Sequence, residues 1–198
     1  MALVVATLKD QIKTSFQSET WTDCATQFAQ ALDNFIKSGT VTTTVAGTVT
    51  PPTGPNYPAV GTGTANSIVT TGLGILTSLI ISKFMNENTL WADIGPALAS
   101  AISADVATGT VTTTVTGVLV GTGIGNPGCI NDSAGLGTLN SDLTAAFTVQ
   151  AFSNAWDDVT DKIGDAMDTY LKAAIVTTND LGVVPVVSWI GTGTGSIS

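Results

Sequence analysis

Three aspartates, Asp23, Asp93 and Asp158, each stand two residues after a tryptophan (Trp21, Trp91 and Trp156). Three carboxylates gathered by an internal repeat would make a cation site. A plainer use competes with it, because an acidic side chain in the first turn of a helix complements the unpaired N–H groups and the dipole there. The helix-start reading is the one adopted, and no metal ligand is assigned. Asp157, Asp158, Asp161, Asp165 and Asp168 likewise read as one solvated helix face.

The chain has no histidine, which removes Ser-His-Asp and Cys-His nucleophiles, histidine acid–base pairs and histidine metal ligands. Gly121-Thr122-Gly123-Ile124-Gly125-Asn126-Pro127-Gly128 has the look of a phosphate-cradling loop, but such a loop must open into a helix, and here Pro127, Gly128 and Cys129 follow. Cys24 shares its repeat column with Ile94 and Val159 and so reads as a small core residue, while Cys129 falls in an inter-repeat loop and the sequence does not decide whether it is exposed. No catalytic residue, no cofactor and no metal site is expected.

Composition narrows the partners. Of 198 residues 43% are hydrophobic and 11% charged, and the net charge is -9, with six lysines supplying every basic group. Scattered lysines outnumbered by fifteen carboxylates cannot neutralise a phosphate backbone, so no nucleic acid is expected. The first ten residues have no basic leader and no small-residue cleavage site, which points to retention in the cytoplasm where the chain is made. The most apolar stretch, 68–81, is interrupted by Thr70, Thr71, Gly72, Gly74, Thr77 and Ser78, and it falls short of a membrane span.

These features need elements to position them, and an internal repeat supplies the elements. Aligning the three tryptophans without gaps brings WTDCATQFAQALDNFIKSGTVTTTVAG onto WADIGPALASAISADVATGTVTTTVTG and WDDVTDKIGDAMDTYLKAAIVTTNDLG. Each copy then runs into a Gly-Thr-Gly: 61–63, 121–123 or 191–193. The units span 2–64, 66–124 and 132–198, and they are expected to pack as one pseudo-threefold body.

Within a unit, Trp21, Cys24, Phe28, Leu32, Phe35 and Ile36 recur at three- and four-residue steps, as do their counterparts in the other copies, which predicts an amphipathic helix. Asp105 breaks the Phe35/Tyr170 column, and Pro96 lies in the first turns of the second helix. An earlier helical segment precedes each: 3–16, 75–85 and 139–152. The period then switches to two. Val41, Thr43 and Val45 alternate with Thr40, Thr42 and Thr44, and Val111, Thr113 and Val115 repeat the pattern, giving a Thr/Val strand with one apolar and one hydroxyl face. The third strand, 175–180, is weaker. The unequal links before Gly-Thr-Gly, above all Pro51-Pro52-Thr53-Gly54-Pro55-Asn56-Tyr57-Pro58, read as hairpin tips of varying length. The fold class is therefore α+β, with three tandem repeats, each a helical segment of two helices followed by a Thr/Val β-hairpin ending in Gly-Thr-Gly. Buried tryptophans at equivalent places are expected.

The segments 39–47, 109–123 and 191–198 resemble small virion structural proteins of tailed bacteriophages, which combine Ala-rich helices, a Thr-Val strand and a Gly-Thr-Gly-Ser tail. The resemblance implies a non-enzymatic part of the particle, a head decoration or a tail, neck or baseplate component, whose partners are other virion proteins and copies of itself. It supplies no functional residue. Low charge and strands with open edges would suit assembly by edge pairing. The alternative from another class is a secreted or surface-exposed binding protein of adhesin or ice-binding type.

Overall fold

The computed structural model describes residues 4–86, 91–148, 156–184 and 187–198, with the side chains of Trp91 and Val184 outside the description. Two helices open the chain, α1 (Val5–Ser15) and α2 (Trp21–Lys37), followed by strands β1 (Val41–Val49) and β2 (Tyr57–Ala65). The order helix, helix, strand, strand returns in α3 (Leu73–Phe84), α4 (Trp91–Ala107), β3 (Val111–Gly117) and β4 (Gly121–Gly125). After the short β5 (Ile130–Asn131) it returns again in α5 (Ser133–Thr148), α6 (Trp156–Ala173), β6 (Ile175–Val184) and β7 (Val187–Ile197). The chain is thus α+β, and residues 149–152 of the expected third early helix lie outside the described part.

The helices form because each offers an apolar stripe to the core, and α2 has a capped start as well. Thr20 caps α2: its hydroxyl oxygen accepts from the Asp23 amide at 3.1 Å and donates to Asp23 Oδ2 at 2.7 Å, occupying a donor that the helix itself leaves unpaired. Ser38, with αR backbone angles, ends the same helix just before the alternating Thr/Val run begins. Each helix packs on the next in chain order, and α6 packs back on α1, so the six described helices make a closed ring. Lys9 (to Asp165 at 2.8 Å and Asp161 at 3.4 Å) and Lys13 (to Asp157 at 2.7 Å) hold that closure across α1 and α6. The face read as merely solvated therefore carries three carboxylates paired to another helix.

The strands close as well. The pairings β1–β2, β2–β3, β3–β4, β4–β6, β6–β7 and β7–β1 are all antiparallel, so six strands form a barrel. β5 adds a two-residue pairing beside the start of β6, where β4 has already diverged. Closure corrects the expectation of open edges. Each of the six strands has a neighbour on both sides over at least part of its length, so closure leaves only short stretches such as residues 57–60 of β2, which lie beyond the β2–β3 pairing, to offer a neighbouring chain. The third strand is also longer than its sequence pattern suggested, because the pairing with β7 extends to Val184.

One large core lies between the helix ring and the near end of the barrel, with Phe28, Leu32, Ile36, Leu98, Ile102 and Met167 among its members. A second, smaller core of Val45, Val49, Val115, Leu119 and Trp189 fills the barrel's far end.

The tryptophan expectation fails at its first member. Trp21 is 53% exposed, with Phe84 against its edge at 6.1 Å, and Trp156 is half-buried against Phe16. Both stand at helix starts, where only the end of a neighbouring helix, Phe84 of α3 or Phe16 after α1, reaches the ring. Among the described side chains the buried tryptophan is Trp189, whose indole N–H donates to the Val120 carbonyl at 3.1 Å.

Candidate functional site: the barrel interior and its outer wall

The Gly-Thr-Gly runs turn out to be a packing device. In a strand successive side chains face opposite ways, so the outer glycines of each run point into the barrel and the threonine points out. Gly63, Gly123 and Gly193 are buried on β2, β4 and β7, while Thr62, Thr122 and Thr192 are exposed. The interior at this level alternates small and hydroxylated residues: Thr43 on β1, Gly63 on β2, Thr113 on β3, Gly123 on β4, Thr178 on β6 and Gly193 on β7. A Cβ built on Gly63 would press on Thr43 Oγ1 and stand 3.1 Å from Thr113 Oγ1. One on Gly193 would press on Thr178 Oγ1 and stand 3.0 Å from Thr43 Oγ1 and 2.9 Å from Asp180 Oδ2. One on Gly123 would collide with both Thr113 Oγ1 and Asp180 Oδ1. Each glycine therefore sits between two polar groups, and the hydroxyls of three hairpins, joined by one carboxyl, form a polar girdle inside the barrel.

Asp180 is the exception in that girdle, since it occupies the place of Val45 and Val115, two residues after the inward threonine. It is 3% exposed, and its hydrogen bond is from the Thr178 hydroxyl, 3.1 Å from both carboxyl oxygens. Burial pushes its pKa above the ordinary carboxylate value, and the Thr178 hydrogen bond opposes the rise. Thr113 is 0% exposed and its hydroxyl has no hydrogen-bond partner among the described residues. Thr43 reaches the Gly63 carbonyl at 3.5 Å.

A second buried polar group lies under the helix ring. Asp33 accepts from Thr70 at 2.6 Å and pairs with Lys37 at 2.7 Å. Asp105 is 1% exposed, and among the described residues neither of its oxygens completes a hydrogen bond, though the Gly72 amide and Thr70 hydroxyl lie nearby. Burial is the main cause that raises the Asp105 pKa, and the charge of Asp33 adds to it.

The outer wall has a different character. The barrel strands carry no lysine, arginine, glutamate or aspartate other than the inward Asp180. Threonine covers most of the wall, and toward the far end the outward positions become apolar: Val60, Val118, Val120, Leu181, Val183 and Ile190 are all exposed. These are neighbours across the ladder, because Leu181 pairs with Ile190, Val183 donates its amide to the Val120 carbonyl, and Gly61, next to Val60, pairs with Gly117, next to Val118. Cross-strand neighbours have Cβ atoms about 5 Å apart, so the six make a collar, which Ala46 and Thr48 complete on β1.

The aspartates weighed from the sequence do not come together as a site. Asp23, Asp93 and Asp158 are exposed in the first turns of α2, α4 and α6. Among the described residues no three His, Cys, Asp or Glu side chains are grouped to hold a metal ion, and no helix is long and apolar enough to cross a membrane. Cys24 and Cys129 are both buried free thiols, and burial raises the Cys24 pKa to about 11. The girdle and collar went unseen in the sequence reading, although a signal for each was there: an aspartate in the inward register of a Val/Thr strand, and valine or isoleucine in the outward register. No protein-family model, no curated protein and no solved structure matches the chain.

Proposed function

We propose that this protein is a non-enzymatic structural component of a phage particle, and that it meets neighbouring subunits through the far end of its barrel. The observation that carries this reading is the partition of charge. Every lysine and every acidic residue except Asp180 lies outside the barrel strands, while the barrel wall is uncharged and ends in an apolar collar. Surfaces that pack into assemblies are depleted of charge at their centre and keep their polar groups at the rim. A protein of net charge -9 meets a neighbour with least like-charge repulsion through this end.

The threefold reading belongs here too. The three segments are diverged copies of one helix-helix-strand-strand unit, with Thr43, Thr113 and Thr178 as equivalent inward residues and Gly63, Gly123 and Gly193 as equivalent glycines. Triplication lets one chain present three related hairpins where a symmetric assembly would otherwise use three subunits. Their tips differ in length, which suits non-identical neighbours.

Electron-microscopy reconstruction of particles that contain the chain tests the reading. The expected result is density in which the collar of Val60, Val120, Leu181 and Ile190 is covered by a neighbouring subunit. Particles in which the collar faces solvent and the helix ring makes the contacts would overturn it.

A further inference from the structure

We propose that the polar girdle inside the barrel binds a monovalent metal cation, with the Asp180 carboxylate as its charged ligand and the hydroxyl oxygens of Thr43, Thr113 and Thr178 completing the shell. The argument starts from the anomaly. The inward position two residues after the threonine is valine in the first two hairpins and aspartate in the third, so a carboxyl group occupies a place that the fold otherwise fills with an apolar side chain. A buried carboxylate is costly unless it is paired or bound to a cation. No lysine lies on any strand of the barrel, and Thr178 supplies the hydroxyl that bonds it.

The remaining oxygens are placed for the task. Thr113 Oγ1 and Asp180 Oδ1 face one another across Gly123, and Thr43 Oγ1, Thr178 Oγ1 and Asp180 Oδ2 surround the Cβ-less face of Gly193. Thr113 is fully buried with its hydroxyl unpartnered and turned toward the carboxyl, so one ligand is held in place with nothing to bind among the described residues. Hydroxyl and carboxylate oxygens are hard ligands, which suit hard cations and not thiophilic metals. One carboxylate balances one positive charge. A divalent ion would leave an uncompensated charge in a wall that has no other acid.

The test is thermal unfolding of the full chain at pH 8 in sodium chloride, potassium chloride or choline chloride at one fixed ionic strength. The expected result is a midpoint that rises saturably with sodium or potassium and not with choline, reaching about 5–10 °C at a hundredfold excess over the dissociation constant. Asp180→Val, which installs the residue found at the equivalent places, should fold and lose the ion-specific rise. Thr113→Val should shift the titration to higher cation concentration, so the proposal stays testable if the first variant fails to fold. Equal midpoints in the three salts would overturn the proposal, and so would an ion-specific rise that persists in both variants. Equal midpoints together with a decline of stability with rising pH that Asp180→Val removes would overturn it too, by showing that the carboxyl holds a proton instead. Neither outcome bears on how the collar is covered.

Discussion

Gly123→Ala should be damaging for the addition of a single methyl group. Gly123 pairs with Thr113 on one side and Asp180 on the other, so its backbone is held by two ladders and cannot withdraw. The new Cβ would overlap Asp180 Oδ1 and Thr113 Oγ1 by about an ångström or more relative to ordinary contact at 3.4 Å. Overpacking a fixed core position costs about 1–3 kcal/mol, and two polar oxygens must move here, so the cost should reach at least about 3 kcal/mol. For a chain of this length that lowers the unfolding midpoint by about 6 °C or more. Gly137→Ala provides the control. Gly137 lies within α5 with nothing within 4 Å of its Cβ position, so replacement removes the entropic penalty of a helical glycine and should stabilise by about 0.5–1 kcal/mol. Denaturant unfolding of both variants measures the pair. If Gly123→Ala lies within about 0.5 kcal/mol of the parent, the Gly-Thr-Gly runs are not kept by packing and the account of the girdle fails. Adding Thr113→Ala to Gly123→Ala should recover part of the loss, since the two sites share one overlap.

Asp105 has a folded pKa raised above its unfolded value, so its contribution to stability is fully present below the unfolded carboxylate pKa of about 3.9 and is lost as pH rises through the folded pKa. Asp105→Asn should therefore flatten part of the decline in unfolding free energy with rising pH, and an unchanged profile would refute the assignment. Without a bound cation Asp180 contributes a slope of the same sign, so the measurement is made in choline chloride and the single variant removes only its own share. Trp189→Ala should cost about 3–5 kcal/mol, because it empties the centre of the far-end core. Trp21→Ala should cost about 1 kcal/mol or less, since its ring is half in solvent; comparable losses in the two would restore the tryptophan column as a structural anchor.

Local order along the chain was legible without coordinates. The 3.6-residue recurrence from Cys24 to Ile36 and the alternation from Val41 to Val45 are periodicities of the backbone itself, so they announce a helix and a strand before any contact is known. The Thr20–Asp23 cap is equally local, being written within four residues. The α+β class follows from those periods. Closure does not, because nothing within one hairpin records that β7 pairs with β1 or that β4 meets β6. Those pairings join segments far apart in the chain, and they turned strands expected to have open edges into a barrel whose strands each have two neighbours. Trp21 shows the same limit: its repeat column marks a helix start, but exposure depends on what packs beside that turn. Asp180 shows it most sharply. In sequence it ends a weak strand, and only the barrel, by setting it opposite Gly123 and beside Thr178, makes it a buried carboxylate facing hydroxyls from the other hairpins. Burial and charge pairing are properties of three-dimensional neighbours, and those neighbours come from strand register and ring closure, which the tertiary structure alone decides.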